Sequence, residues 1–179
     1  NFRCLPSGLP RQGGTPYPLK IMQTPEEVVF LYEGGMHTFR IVPTDGRPHK
    51  KDVWAWYGDS IGRWEGDTLV IDVVGFNDES WLDSSGYPHG GQLHLVERYR
   101  KTDPVTLRFD VTVEDPEYYT APWTTPCTSR LTSRPWWRPT ASTWPTACSP
   151  PRSTWTHRPR PSPPRSTAWR SATPAPRPA

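Results

Sequence analysis

The sequence predicts an all-β domain of antiparallel strands, followed by a tail of different composition. The clearest signal is a hairpin, because Ile61 to Trp64 and Thr68 to Val74 are β-branched or aromatic runs joined by the short loop Glu65-Gly66-Asp67. A second signal is the strict alternation of apolar and polar residues from Val105 to Glu114. Residues 1–125 also show no sustained 3.6-residue period, which argues against helices.

The other predicted strands complete a meander. Three short strands are predicted before the hairpin and one after it: Lys20 to Gln23, Glu27 to Tyr32, His37 to Val42 and Leu93 to Lys101. Residues 1–18 are rich in Pro and Gly, so we expect a loop there and no helix. Both faces of Thr68 to Val74 are largely apolar, which favours a covered strand. We therefore predict a strongly curved antiparallel sheet or an incomplete lipocalin-like barrel.

Composition divides the chain at residue 126. All 18 acidic residues precede this point, whereas residues 126–179 carry nine arginines, which leaves a net charge of −6 for residues 1–125. The tail consists of Pro, Arg, Ser, Thr, Ala, Trp, Cys, His and a single Leu. Because these residues have GC-rich codons, we interpret the tail as out-of-frame translation (a frameshift); a genuine disordered stalk is the alternative. We predict an antiparallel β domain over 1–125 and a disordered tail over 126–179.

The same division limits the classes of partner. Arginines with interspersed Trp could bind nucleic acid, but the tail composition leads us to predict no nucleic-acid partner. With Cys127 and Cys148 in the tail, Cys4 is alone in the domain and cysteine content does not indicate a compartment. No 18-residue apolar run is present, so we expect no membrane span. The start at Asn1 suggests an internal fragment, and the oligomeric state is left open.

Four motifs resemble a family of uncharacterised bacterial proteins that are usually made with export signals. The motifs are TDGRPH (Thr44 to His49), GDSIGRWEGDTLVID (Gly58 to Asp72), GYPHGGQLHLVERYR (Gly86 to Arg100) and TLRFDVTVEDPEYYTAPW (Thr106 to Trp123). The resemblance covers about Cys4 to Thr124 and ends where the composition changes. It implies a periplasmic or extracellular location and supplies no catalytic residues.

Histidines and carboxylates are the candidates for acid/base chemistry. We predict Glu97, His49 and His89 as catalytic residues, because His titrates near neutral pH and carboxylates orient it. Glu97 and Arg98 are adjacent in a predicted strand, so one of the two must face the core, and a register shift of one residue decides which. An inward Glu97 would lose hydration unless Arg40 or Arg98 pairs with it. The histidine spacing is not diagnostic of a metal site, so we predict neither metal nor cofactor.

Aromatic residues are the candidates for ligand binding. Sugars and flat apolar molecules bind such rings, although Trp also fills cores. The predicted ligand-binding residues are Trp54, Trp56, Tyr57, Trp64, Trp81, His94 and Arg98. The leading functional hypothesis is binding of a small apolar or aromatic ligand by an exported protein. An enzyme using Glu97 with a histidine, and a structural or protein-interaction module, are the alternatives.

The tail prediction can be tested by limited trypsin digestion. Because one Leu and scattered Trp residues bury too little apolar surface to offset about 1–2 kcal/mol of backbone entropy per residue, we expect rapid cleavage at the tail arginines. Mass spectrometry of the resistant product should find an end near residue 130. A resistant product that extends far beyond this position would contradict the prediction.

Overall fold

The chain forms two antiparallel β-sheets that pack face to face. The computed structural model describes residues 8–13, 17–34, 38–83 and 85–131. A three-stranded sheet has the order β1-β2-β3 and a five-stranded sheet has the order β4-β5-β6-β7-β8. The strands of the small sheet are β1 (Leu19–Gln23), β2 (Glu27–Tyr32) and β3 (Phe39–Pro43). Those of the large sheet are β4 (Asp59–Glu65), β5 (Thr68–Val74), β6 (His94–Asp103), β7 (Thr106–Glu114) and β8 (Trp123–Arg130).

The predicted all-β antiparallel fold is confirmed, and neither sheet closes into a barrel. The central hairpin forms as predicted, with Glu65 paired to Thr68 and a positive φ of 59° at Gly66. Glycine adopts this backbone conformation without steric cost, which is why it can start a two-residue turn. The predicted start of the third strand, His37, lies outside the described residues.

The two sheets share one apolar core. The small sheet turns Val28, Phe30 and Val42 inward, and the large sheet contributes Ile71 and Leu95, all of them fully or almost fully buried. The outer face of the small sheet is different, because Phe39 and Ile41 are exposed there. The alternation seen in the sequence of β3 therefore does not place its apolar face in the core. Arg40 and Val42 face inward instead.

The ordered domain continues past the predicted boundary at residue 125. Strand β8 runs to Arg130 and pairs with β7 along its length. Cys127 is buried at a position opposite Phe109 and is disulfide-bonded, with its partner outside the described residues. The boundary inferred from composition is therefore corrected to lie beyond β8, because inward side chains at alternate positions continue to pack on the core. The remainder of the predicted tail, residues 132–179, lies outside the described residues.

One short helix occurs where only a loop was expected. The helix α1 (Leu9–Gly13) is a single turn, and Gln12 donates its backbone N–H to the carbonyl of Gly8. Pro10 is compatible with it because the N–H groups of a first helical turn have no partner within the helix. Leu9 is buried, and its N–H binds the carbonyl oxygen of Trp56. No helix in the described part of the chain is both long and apolar enough to span a membrane.

A buried ion pair connects the two sheets. The strand register puts Glu97 on the inner face of β6, between Ile71 and Val111, and leaves Arg98 outside. Arg40, from the inner face of β3, places its guanidinium 2.6 Å from the Glu97 carboxylate, and the two side chains are 2% and 6% exposed. The inward register considered from the sequence is thus present, and Arg40 supplies the partner.

We expect Glu97→Gln to lower the free energy of unfolding by about 3–5 kcal/mol, because it leaves the buried Arg40 charge without a counterion. Urea denaturation at pH 7 measures this difference. The matched control is the double variant Arg40→Met/Glu97→Leu, which should lie within about 1–2 kcal/mol of wild type because apolar groups replace both charges. A Glu97→Gln variant as stable as wild type would show that the pair does not hold the sheets together.

Candidate functional site

The outer face of the large sheet carries a row of histidines and carboxylates near one end of its strands. Because side chains alternate along a strand, Asp59 of β4, Asp72 of β5, His94 of β6 and Glu114 of β7 all point away from the core. His49 joins them from the loop that precedes β4. We call these five side chains the outer-face row.

His49 is held at one end of the row by Asp59. Its Nδ1 lies 3.0 Å from Asp59 Oδ2, and the same oxygen accepts the backbone N–H of Lys50 at 3.0 Å. An ionised carboxylate only accepts, so Nδ1 carries the hydrogen of this contact. His49 Nε2 is buried without a hydrogen-bond partner, 3.6 Å from Asp72 Oδ1. In the neutral ring, this nitrogen presents a lone pair.

His94 connects Asp72 with Glu114. Its Nε2 lies 2.8 Å from Asp72 Oδ1, and its Nδ1 lies 3.4 Å from Glu114 Oε2. Asp72 Oδ1 therefore faces both histidines. Within the described residues, no lysine or arginine forms an ion pair with Asp59, Asp72 or Glu114. The row thus concentrates three carboxylates against two imidazoles on a partly exposed surface.

Trp54 lies beside this end of the sheet and is largely open to solvent. The residue is 61% exposed, although its ring lies so close to Gly91 that a Cβ added there would come within 2.8 Å of it. Gly91 precedes His94 by three residues, so Trp54 covers the turn from which β6 starts. Trp81 is 47% exposed and lies near Gly86. Trp81 belongs to the long loop 77–91, and Trp54 lies against Gly91 at the end of that loop.

The other predicted aromatic residues lie elsewhere. Trp64 is 45% exposed near the hairpin turn, five residues beyond Asp59, and at about 3.3 Å per residue this is roughly 16 Å from the row. Arg98 also lies outside the row and binds Glu65 at 2.8 Å. Trp56 and Tyr57 are half-buried, and the Tyr57 hydroxyl hydrogen-bonds Thr38 at 2.7 Å. The ligand-binding residues predicted from the sequence therefore do not form one site.

Glu97 does not share a site with His49. Glu97 faces the space between the sheets, whereas His49 contacts carboxylates on the outer face. Arg40, its partner, also donates from Nε to the Ser60 hydroxyl at 2.9 Å. Burial raises the pKa of Tyr32 and Tyr99 beside this pair, which keeps both phenols neutral. Glu97 is therefore paired with Arg40 in the core, on the opposite face of the sheet from the carboxylates that His49 contacts.

His89 is a buried residue of the loop 77–91. Its Nε2 lies 2.8 Å from the Ser80 hydroxyl, and its Nδ1 lies 3.1 Å from the Gly90 carbonyl oxygen. The carbonyl can only accept, so Nδ1 carries the hydrogen and Ser80 donates to Nε2. Burial lowers the pKa of His89, with the Gly90 carbonyl and Asp115 opposing this shift. Ser80 is itself buried, and its hydroxyl lies so close to Gly8 that a Cβ at that position would collide with it. The backbone at Gly8 therefore covers the pair of Ser80 and His89.

Asp72 and Glu114 are the members of the row that the sequence interpretation missed. A signal was present for Asp72, which is the one charged residue in the apolar strand Leu69 to Val74. Glu114 could have been found from the β6–β7 hairpin, where it pairs directly with His94. Asp45, a carboxylate of the loop before β4, binds Arg47, which lowers the pKa of Asp45 to about 2.

The described residues contain no group of three or more His, Cys, Asp or Glu side chains placed to hold a metal ion. Comparisons of the chain with protein-family models, curated proteins and solved structures gave no match. The function is therefore inferred from the geometry of the chain.

We expect the free energy of unfolding to fall as the pH is lowered from 7 to 5, in part through His89. Because its pKa is lower in the folded state than the ordinary value of about 6.5, the unfolded chain binds a proton first as the pH falls through that value. Urea denaturation of wild type and His89→Gln at both pH values should show a smaller pH dependence for the variant. An unchanged dependence would contradict the assignment. Asp45, Glu65 and Asp103 have a lowered carboxyl pKa, so their titration reduces the free energy of unfolding only at lower pH.

Proposed function

We propose that the protein binds a small molecule with an apolar or aromatic face at the end of the large sheet that carries both the outer-face row and Trp54, whose ring lies against Gly91. The observation that carries the proposal is the exposure of Trp54, a residue that is 61% exposed although its ring lies against Gly91. Trp is highly buried on average, and an open ring beside convergent polar groups is a common feature of ligand sites.

The surroundings of Trp54 suit recognition of a ligand with two chemical faces. The ring supplies a flat apolar surface, and the carboxylates and imidazoles of the row supply hydrogen-bonding groups that orient a bound molecule. Strand pairing holds four of the five side chains of the row at a fixed register. Such a site needs little ordering on binding, which favours affinity.

Export is part of the same proposal. It rests on the family resemblance, in which related chains carry export signals.

A second candidate is an enzyme that transfers protons at His49. Asp59 fixes the ring through Nδ1, and Nε2 has no hydrogen-bond partner, which is the arrangement of a general base oriented by a carboxylate. This version replaces Glu97 with Asp59 as the partner of the histidine.

Binding of the neutral fluorescent probe N-phenyl-1-naphthylamine tests the proposed site. We expect saturable binding to wild type and at least about tenfold weaker binding to Trp54→Leu, because the variant loses the aromatic surface. The matched control is Trp64→Leu, which removes an exposed ring at the distant end of β4 and should bind as wild type does. Equal binding by the two variants would place the probe elsewhere, and the absence of saturation would contradict a site.

A further inference from the structure

We propose that the outer face of the large sheet binds a tetrahedral oxyanion between Arg100 and Arg108, at the other end of the strands from the outer-face row. The ligand is a phosphate or sulfate group, either as the free ion or as part of a small soluble molecule. Arg100 lies six residues beyond His94 in β6, which at about 3.3 Å per residue is roughly 20 Å from the row. The inference concerns a second site and does not depend on the proposed function.

Strand register brings four arginines together on this face. Side chains alternate along each strand, so residues opposite one another in neighbouring strands form rows across the sheet. One row consists of Arg63, Val70, Arg98 and Asp110, and the next consists of Glu65, Thr68, Arg100, Arg108 and Thr128. All four arginines are exposed, and we call them the arginine cluster.

The carboxylates of these two rows neutralise only part of the cluster. The ion pairs are those of Arg63 and Arg98 with Glu65, at 2.8 Å each, and that of Arg108 with Asp110, at 3.1 Å. Arg100 forms no ion pair within the described residues, and the rest of the chain contains no Asp or Glu. Four arginines against two carboxylates leave this surface with two uncompensated positive charges.

Arg100 and Arg108 stand directly opposite one another in the ladder of β6 with β7. Like charges in this arrangement destabilise a sheet, because the Cβ atoms of opposite residues are only about 4.5–5.5 Å apart. An anion between the two guanidinium groups converts this repulsion into attraction. Thr68 pairs with Arg100 on its other side, and Thr128 pairs with Arg108, so hydroxyl groups that can also donate flank the two arginines.

The free donors of the two arginines favour a tetrahedral oxyanion over a spherical anion. Arg108 donates from Nε and Nη2 to Asp110 Oδ1, at 3.2 and 3.1 Å, which leaves its Nη1 to donate elsewhere. The side chain of Arg100 forms no hydrogen bond within the part of the chain that the structure describes. A guanidinium binds two oxygens of a phosphate side by side, and a tetrahedral ion has oxygens for both arginines.

The charges near the cluster have the sign that an anion requires. Residues 1–125 carry a net charge of −6, but exposed charges more than about 8 Å apart are largely screened at physiological ionic strength. The potential at the site is therefore set by its neighbours. Among them is Arg130 of β8, which lies on the same face opposite Thr106 and forms no ion pair within the described residues. The whole chain has a net charge of +3.

The dependence of stability on phosphate tests the site, because a ligand that binds the folded chain raises the urea concentration at the midpoint of unfolding. The full chain would be unfolded at pH 7.5 in sodium phosphate and, in parallel, in sodium chloride of the same ionic strength. The two salts then screen charge to the same extent. We expect a saturable rise of the midpoint in phosphate beyond that in chloride. Equal midpoints in the two salts would overturn the proposal.

Variants separate binding from the general stabilisation that phosphate gives to proteins. We expect Arg100→Gln to bind phosphate at least about tenfold more weakly, because one of two charge-assisted partners is lost. Without phosphate it should be at least as stable as wild type, since the like-charge pair is gone. Arg108→Gln should show the same loss. The matched control is Arg47→Gln, which removes an exposed arginine paired with Asp45 outside the cluster and should respond as wild type does.

Two further comparisons decide the geometry and the source of the anion. Arg100→Lys keeps the charge without the planar fork, so it should bind more weakly than wild type; equal binding would overturn the assigned geometry. An unchanged response to phosphate in Arg100→Gln or Arg108→Gln would overturn the site. Glycerol 2-phosphate that binds more tightly than inorganic phosphate would identify the phosphate group of a larger molecule as the ligand, and weaker binding would identify the free ion. Either order supports the site.

Discussion

The buried ion pair between Arg40 and Glu97 is the interaction on which the rest of the structure depends. It is the charged contact between the inner faces of the two sheets, and its Arg40 side chain also binds Ser60 of β4. Removing two charges from water costs free energy that their attraction only partly offsets, so such a pair contributes more to a specific arrangement than to stability. Here it joins β3 to β6 through Glu97 and to β4 through Ser60. Apolar contacts, including that of Phe30 with Tyr99, then surround it.

The same pair determines the surface on the other side of the sheet. Because Glu97 must face Arg40, the alternation of β6 directs His94 and Arg98 outward. His94 then meets Asp72 on the neighbouring strand, while Arg98 reaches Glu65 farther along. A register shift of one residue would bury Arg98 and dissolve the outer-face row. The candidate site is therefore a consequence of how the core is assembled, although no residue of the row contributes to that core.

The sequence predicts local pairing better than packing. The hairpin of β4 and β5 was predictable because β-branched runs and a glycine turn lie within a few residues of one another. The division into two sheets was not, since it depends on contacts such as Arg40 with Glu97 between distant segments. The boundary predicted from composition was also wrong. It assigned Cys127 to the tail, whereas Cys127 is a buried, inward-facing residue of β8. For the site, His49 and His94 were predicted, but pairing His49 with Glu97 ignored that strand alternation separates them.

The order of strands has a consequence for how the protein reaches this structure. Every ladder in both sheets joins strands that are consecutive in the chain, and all but one can form after closing a short loop. The exception is the ladder of β5 with β6, which closes the long loop 77–91. The ion pair is different, because 57 residues separate Arg40 from Glu97. We therefore expect hairpins to form early and the two sheets to dock late, with the charges losing their hydration only at that step. Before the sheets dock, Glu97 and Arg40 remain hydrated. At that stage their interaction does not favour one register of β6 over another.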